Sequence, residues 1–217
     1  MKTIVLGSQK GGSGKTTLAA HLAVELERTG RGPVVVMDTD PQGSLAAWWN
    51  DREATAPAFA DCLVRDIRSR CAALAHEGYT WCVVDTPPSN SDINRLVIEV
   101  ADLVVIPARP SPLDLAALGA TVDLCKAASK PYAFIVNAVK PGTSITLQTV
   151  AALSVYGPVA PVLVGDRVAY ASAMVDGRAL QEVDPTSKGA GEISGILDFL
   201  LSRFPDFQKS KKEKARA

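Results

Sequence analysis

Lys10 and Lys15 bracket Gly11, Gly12 and Gly14 in the stretch GSQKGGSGKTT, residues 7–17. Glycines at that density let a backbone turn sharply and come close to a ligand. Successive N–H groups, followed by the start of a helix, then face an anion. Lys15 adds a cation placed for the β- and γ-phosphates of a nucleotide, and the Thr16 hydroxyl can coordinate Mg²⁺. Ser13 and Thr17 complete the loop. A strict phosphate loop, GxxxxGK[ST], calls for glycine at position 9, where this chain has Gln9. The loop is therefore a variant, with Lys10 set into its glycine turn, and loop chemistry alone gives that second lysine no task. A dinucleotide loop is the competing reading: Gly12-x-Gly14-x-x-Thr17 approaches GxGxxG, and Asp38 follows where a ribose-binding acid is expected. Thr17 breaks that pattern, and a lysine beside Thr16 suits a triphosphate and a metal better than a pyrophosphate.

Carboxylates close two further apolar runs. VVVMDTDPQGS, residues 34–44, places Asp38 and Asp40 at alternate positions. One can hold Mg²⁺ or its waters while the other orients an attacking water. The same residues would also make an ordinary polar turn, with Asp40-Pro41 and Gly43 as turn formers. WCVVDTPPS, residues 81–89, ends its apolar run on Asp85, an acid placed to bind Mg²⁺ through water. Thr86-Pro87-Pro88 stiffens the turn after that strand, and such a loop could respond to loss of the γ-phosphate. Two later runs end in IPARPSPLD and FIVNAVK. Pro110, with Pro107 and Pro112, fixes an extended loop that could pack against a base. Asn137 offers an amide that could read an adenine edge.

These residues need a frame that brings their ends together. Thr3–Leu6, Val34–Met37, Trp81–Val84, Leu103–Ile106, Ala133–Val136 and the weaker run Val159–Val164 are nearly continuous in apolar character. That pattern predicts parallel strands covered on both faces. Helical spacing recurs over Lys15–Arg28, Leu113–Ala127, Ile145–Leu153 and Ile193–Phe204, and VAYASAMVDGR after Arg167 reads as a further helix. The alternation predicts an α/β fold: a doubly wound, mostly parallel sheet with helices on both faces. Ligands of such sheets bind beyond the carboxyl ends of the strands, where the phosphate loop and the acids lie. The expected organisation is one domain over residues 1–204 and a mobile basic tail over 205–217.

Composition agrees with a single core-forming domain: 217 residues, 47% hydrophobic, formal net charge +0. The neutrality hides an asymmetry. Residues 203–217 carry Arg203, Lys209, Lys211, Lys212, Lys214 and Arg216 against Asp206 and Glu213. A basic tail can meet nucleic acid or an anionic membrane surface, or simply remain solvated. Cys62, Cys71, Cys82 and Cys125 show neither CxxC spacing nor a disulfide framework, which predicts reduced thiols in a cytoplasmic protein. No run has the length of a signal peptide or a spanning helix.

Taken together, KGGxGKTT at residues 10–17, DxDPQ at Asp38–Gln42 and hhDTPP at Val83–Pro88 resemble the ParA/MinD family of deviant Walker ATPases. The resemblance spans nearly the whole chain and is closest to short ParA proteins of plasmid partition, which lack an N-terminal helix-turn-helix domain. It implies a P-loop NTPase fold, ATP as substrate and Mg²⁺ as cofactor. Lys15 would hold the phosphates, Thr16, Asp38 and Asp85 would support the metal, and Asp40 would orient water. Lys10 would reach across an ATP-dependent homodimer to the partner's phosphates. The resemblance further implies non-specific DNA binding, weak hydrolysis until a ParB-like or other cargo-bound partner stimulates it, and a nucleoid-associated location. Arg167, Arg178, Lys188 and Arg203 are the folded-domain candidates for DNA contact, and DNA or a protein cluster would be the cargo. A MinD-like membrane anchor is disfavoured, because QKSKKEKARA has cations but almost no apolar face. A nucleotide sensor without turnover is disfavoured by the presence of both Asp40 and Asp85.

Overall fold

The computed structural model describes residues 1–88 and 91–205. The expected tail, beyond Pro205, lies outside the described residues. Within them one parallel sheet is built from β1 (Lys2–Leu6), β2 (Val34–Asp38), β3 (Ala58–Phe59), β4 (Trp81–Asp85), β5 (Leu103–Ala108) and β6 (Tyr132–Val136). The spatial order is β3-β2-β4-β1-β5-β6. The helices are α1 (Lys15–Arg28), α2 (Ser44–Asn50), α3 (Ile67–His76), α4 (Ser91–Val100), α5 (Pro112–Ala127), α6 (Ser144–Tyr156), α7 (Val168–Ala173), α8 (Leu180–Val183) and α9 (Lys188–Leu201).

The strands explain why their sequences are apolar without alternation. Successive side chains point to opposite faces, and here both faces are covered. Ile4, Leu6, Val34, Val36, Val83, Val105 and Ile135 pack with α1, α2, α7, α8 and α9 on one side. Val5, Val35, Met37, Val84, Val104, Ile106, Phe134 and Val136 pack with α3, α4, α5 and α6 on the other. A charge at any of these positions would meet a helix rather than water, and full burial of one such side chain contributes roughly 1.5–3 kcal/mol. Register then sets the site. Leu6 and Asp38 both pair with Asp85, so β1, β2 and β4 end in one row.

Several sequence expectations change in detail. Val159–Val164 is not a strand. It is an extended segment that touches the β6 edge through bridges at Phe134–Val159 and Val139–Gly165, and Pro158 and Pro161 each lack an N–H for a continuous ladder. The two-residue edge strand β3 is too short to carry a pattern. No helical pattern stands out between β2 and β4, yet α2 and α3 form there, α3 with only Ile67 and Leu74 buried. α9 begins at Lys188 rather than Ile193: Gly189 and Gly191 lower the helical signal of its first turn, while the Ser187 hydroxyl caps it by accepting from the Ala190 N–H at 3.2 Å. The four cysteines are free thiols.

Candidate functional site

The loop between β1 and α1 sits at the centre of the sheet's carboxyl end. α1 starts without a side-chain cap, because Gly14 occupies the N-cap position at φ 96°. The N–H groups of residues 11–17 find no acceptor among the described residues, so they and the helix start are available to an anion. Gly14 is also a point of close approach: a Cβ there would lie 2.1 Å from the Asn137 amide nitrogen. That nitrogen donates to the Ser13 carbonyl at 2.8 Å. The Ser13 hydroxyl is buried with no partner in the described protein.

The acids sort into distinct tasks. Asp85 is fully buried; its Oδ2 accepts from the Thr16 hydroxyl at 2.5 Å and its Oδ1 from the Thr86 N–H at 3.0 Å. Burial, with Asp38 nearby, pushes its carboxyl up to about 7, against the opposing pull of the Thr16 hydrogen bond and Lys15. Asp38 is occupied by backbone: Oδ2 accepts from Leu45 and Ala46 at 2.9 and 3.0 Å, and Oδ1 from Asp40 at 3.0 Å. It thus anchors the start of α2 and the turn that carries Asp40. Asp40 is half-buried, and its carboxylate accepts only from the Gln42 N–H, at 3.0 Å, among the described contacts. The strand ends are tied together by two threonines. Thr39 donates its hydroxyl to the Asp85 carbonyl at 2.6 Å, and Thr86 to the Leu6 carbonyl at 2.7 Å.

Lys15 is buried among these groups. Desolvation lowers its ammonium below the usual lysine range, while Asp85 and Asp40 draw it back up. Its Nζ lies 3.5 Å from the Lys10 carbonyl, a loose contact that leaves the cation ready for a better acceptor. Lys10 points elsewhere: its Nζ donates to Asp114 Oδ2, on the first turn of α5, at 2.9 Å. Sequence reasoning missed Asp114, whose only signal was an acid just after Pro112 at a helix start. It likewise gave Thr39 no role.

On the base side, the Asn137 amide nitrogen reaches the phosphate loop, where it donates to the Ser13 carbonyl at 2.8 Å. Pro110 lines a cavity of about 330 Å³ with Arg109, Ser111, Ala138, Lys140, Thr143, Ile145 and Asp166, next to Asn137 in the chain. The candidate DNA contacts sit in different local settings. Arg167 is paired with Glu192 at 2.6 Å. Arg178 is paired with Asp176 at 2.6 Å and lines a cavity with Asp51, Glu53 and Glu182. Lys188 is exposed at the start of α9, and Arg203 lies over the Phe199 ring at 4.5 Å. The tail lysines fall outside the described residues.

Three oxygen and nitrogen sets therefore converge at one sheet end: an anion-binding loop with a buried lysine, a hydroxyl–carboxylate pair suited to a hard cation, and a more open carboxylate. The chain is similar in sequence and fold to several known proteins. The chain is 32% identical to Maintenance of carboxysome distribution protein A of Halothiobacillus neapolitanus, over 92% of this chain and 96% of that protein. It is 27% identical to the chromosome-partitioning ATPase Soj of Thermus thermophilus, over 94% and 96%. In structure it is similar to the MinC:MinD cell division protein complex of Aquifex aeolicus, with TM-score 0.78, 17% identity, and 93% and 96% of the two chains covered. Residues 4–180 match the CobQ/CobB/MinD/ParA nucleotide binding domain, and the chain belongs to that family.

Proposed function

We propose that the protein is a Mg²⁺-dependent ATPase that dimerises with ATP, holds to DNA without sequence preference and positions a cargo inside the cell. The observation that carries this reading is the meeting of the Lys10–Lys15 loop with Asp85 and Asp40 at the ends of three adjacent strands. Thr16 and Asp85 would hold Mg²⁺, which when bound neutralises part of the phosphate charge. Lys15 and the loop N–H groups bind and orient the β- and γ-phosphates, which present far stronger acceptors than the Lys10 carbonyl. Asp40 accepts a hydrogen bond from the attacking water and orients it. Asp38, with both oxygens on backbone N–H groups, fixes the turn that carries Asp40. Asn137 fixes the loop from the other side, and the cavity at Pro110 takes the base. Lys10 supplies a second cation that crosses to the partner's phosphates, which makes the dimer depend on the triphosphate.

The reach of the 32% relative, over nearly its whole length, favours a protein assembly as cargo. The alignment with Soj, also nearly complete, keeps DNA as the second reading. Non-specific DNA binding is an electrostatic interaction and falls steeply with salt. With Arg167 and Arg178 matched by acids, Lys188, Arg203 and the tail cations are the residues that would carry it. Retention of random-sequence duplex by an Asp40→Ala protein tests the DNA tether. Retention with ATP·Mg²⁺ but not with ADP, lost between about 50 and 200 mM salt, is expected. Equal retention in both nucleotides, or none at low salt, would overturn it.

A further inference from the structure

We infer that Asp114 is the resting counter-ion of Lys10, a positioning residue that keeps this lysine in its own protomer until a triphosphate is presented across the dimer. The inference rests on the proposed ATP-dependent dimer. Its two partners differ in mobility. The Asp114 side chain is 6% exposed and fixed on the first turn of α5, where the helix N-terminus favours a carboxylate. The Lys10 side chain is 34% exposed, on a loop that continues into Gly11 and Gly12. Lys10 can therefore leave, and Asp114 cannot follow. Departure would strand a nearly buried carboxylate whose one partner among the described contacts is Lys10, and stranding a buried charge opposes departure.

The second lysine links this contact to the loop's occupancy. The Lys15 ammonium rests 3.5 Å from the Lys10 carbonyl. A phosphate in the loop would draw Lys15 away and release the backbone that carries Lys10. A bound γ-phosphate on the partner then offers Lys10 a stronger anion than a single carboxylate. Without that phosphate, the internal pair stays closed. In this arrangement Asp114 raises the ATP level at which dimers form, because the competent Lys10 conformer is only a fraction of the population.

Two measurements on the full chain test this. In the nucleotide-free protein, acylation of Lys10 by an amine-reactive reagent, read by mass spectrometry against the exposed Lys126, reports the contact itself. Asp114→Asn is expected to speed Lys10 acylation several-fold and leave Lys126 unchanged. In sedimentation, Asp114→Asn is expected to dimerise at roughly three- to tenfold less ATP, and the shift should vanish in a Lys10→Ala background. Asp114→Ser should act in the same direction and serves if the asparagine variant does not fold. Unchanged Lys10 acylation, an ATP midpoint that stays or rises, or a shift that survives Lys10→Ala would each overturn the inference. Should faster acylation accompany a protein that never dimerises with ATP, the contact stands, while the dimer reading and the handover built on it both fall.

Discussion

In the proposed mechanism Lys15 serves binding and Asp40 serves turnover, a division that single-residue variants can separate. Lys15 is buried, lowered by desolvation and directed at the loop interior. Lys15→Ala is expected to weaken ATP binding by at least about a hundredfold, the loss of a charge-assisted contact in a partly desolvated site, as read by titration with a fluorescent ATP analogue. Asp40→Ala removes a group that anchors only the Gln42 N–H, so the fold and nucleotide affinity should persist. Phosphate release should fall by about a hundredfold or more; normal release would remove Asp40 from the reaction. The sequence singles these residues out because phosphate and metal chemistry demands particular types at particular spacings. Asp114 was not legible. Its meaning lies in a contact with a residue 104 positions away, and nothing in SPLD distinguishes a counter-ion from a helix-start acid. Asp38 was legible as an acid at the site but not as the holder of three backbone N–H groups, since the α2 start that it caps was not foreseen.

Between elements, small polar contacts decide how the loop is held and how the C-terminal helices dock. Asn137, at the end of β6, reaches the loop at Ser13. Asn137→Ala should leave the loop under-restrained and weaken nucleotide binding by about tenfold, near the worth of one hydrogen bond to a partly buried carbonyl; unchanged affinity would assign Asn137 no part in holding the loop. Gly177 sits at φ 73°, and a Cβ there would lie 2.3 Å from the Arg52 backbone nitrogen. Since backbone cannot move aside as a side-chain tip can, Gly177→Ala is expected to cost about 2–4 kcal/mol of stability, visible as a lowered denaturant midpoint. His21 joins α1 to the start of α8: its Nδ1 donates to the Thr17 carbonyl at 2.7 Å and its Nε2 accepts from the Leu180 N–H at 3.1 Å. Only the neutral ring can do both. Burial accordingly lowers its pKa to about 4 from 6.5, against weaker raising contacts from Thr17 and Glu182. The unfolded chain takes up a proton as pH falls below 6.5 and the folded one does not until about 4. Stability is therefore full above about pH 6.5 and falls across that window by about 3 kcal/mol from this group. Denaturant titrations of wild type and His21→Gln should show the slope in the first and a smaller one in the second. The five longer strands were legible from apolar runs, because burial on both faces forces that composition, and α1 from its helical spacing. The α2–α3 region was not, since short helices with one or two buried residues leave almost no periodicity. The Val159–Val164 run misled because an apolar segment lying along an edge reads like one inside the sheet.

At the scale of the whole molecule, β1, β2 and β4 end in one row, and the loops that follow them carry Lys10, Lys15, Thr16, Asp40 and Asp85, the residues that the proposed mechanism assigns to a triphosphate and its metal. The two helical layers cover the sheet's faces, and in the proposed mechanism the carboxyl end of that row receives the nucleotide and a second copy. A dimer whose closing contact is a lysine on a phosphate exists only while the triphosphate does, which turns hydrolysis into release. That coupling is the central claim, and sedimentation of the Asp40→Ala chain at saturating ATP·Mg²⁺ or ADP, beside the same chain carrying Lys10→Ala, tests it most directly. The account predicts a dimer with ATP, a monomer with ADP, and a monomer in both once Lys10 is removed. A protein that binds ATP yet stays monomeric, or a dimer indifferent to Lys10, would contradict it.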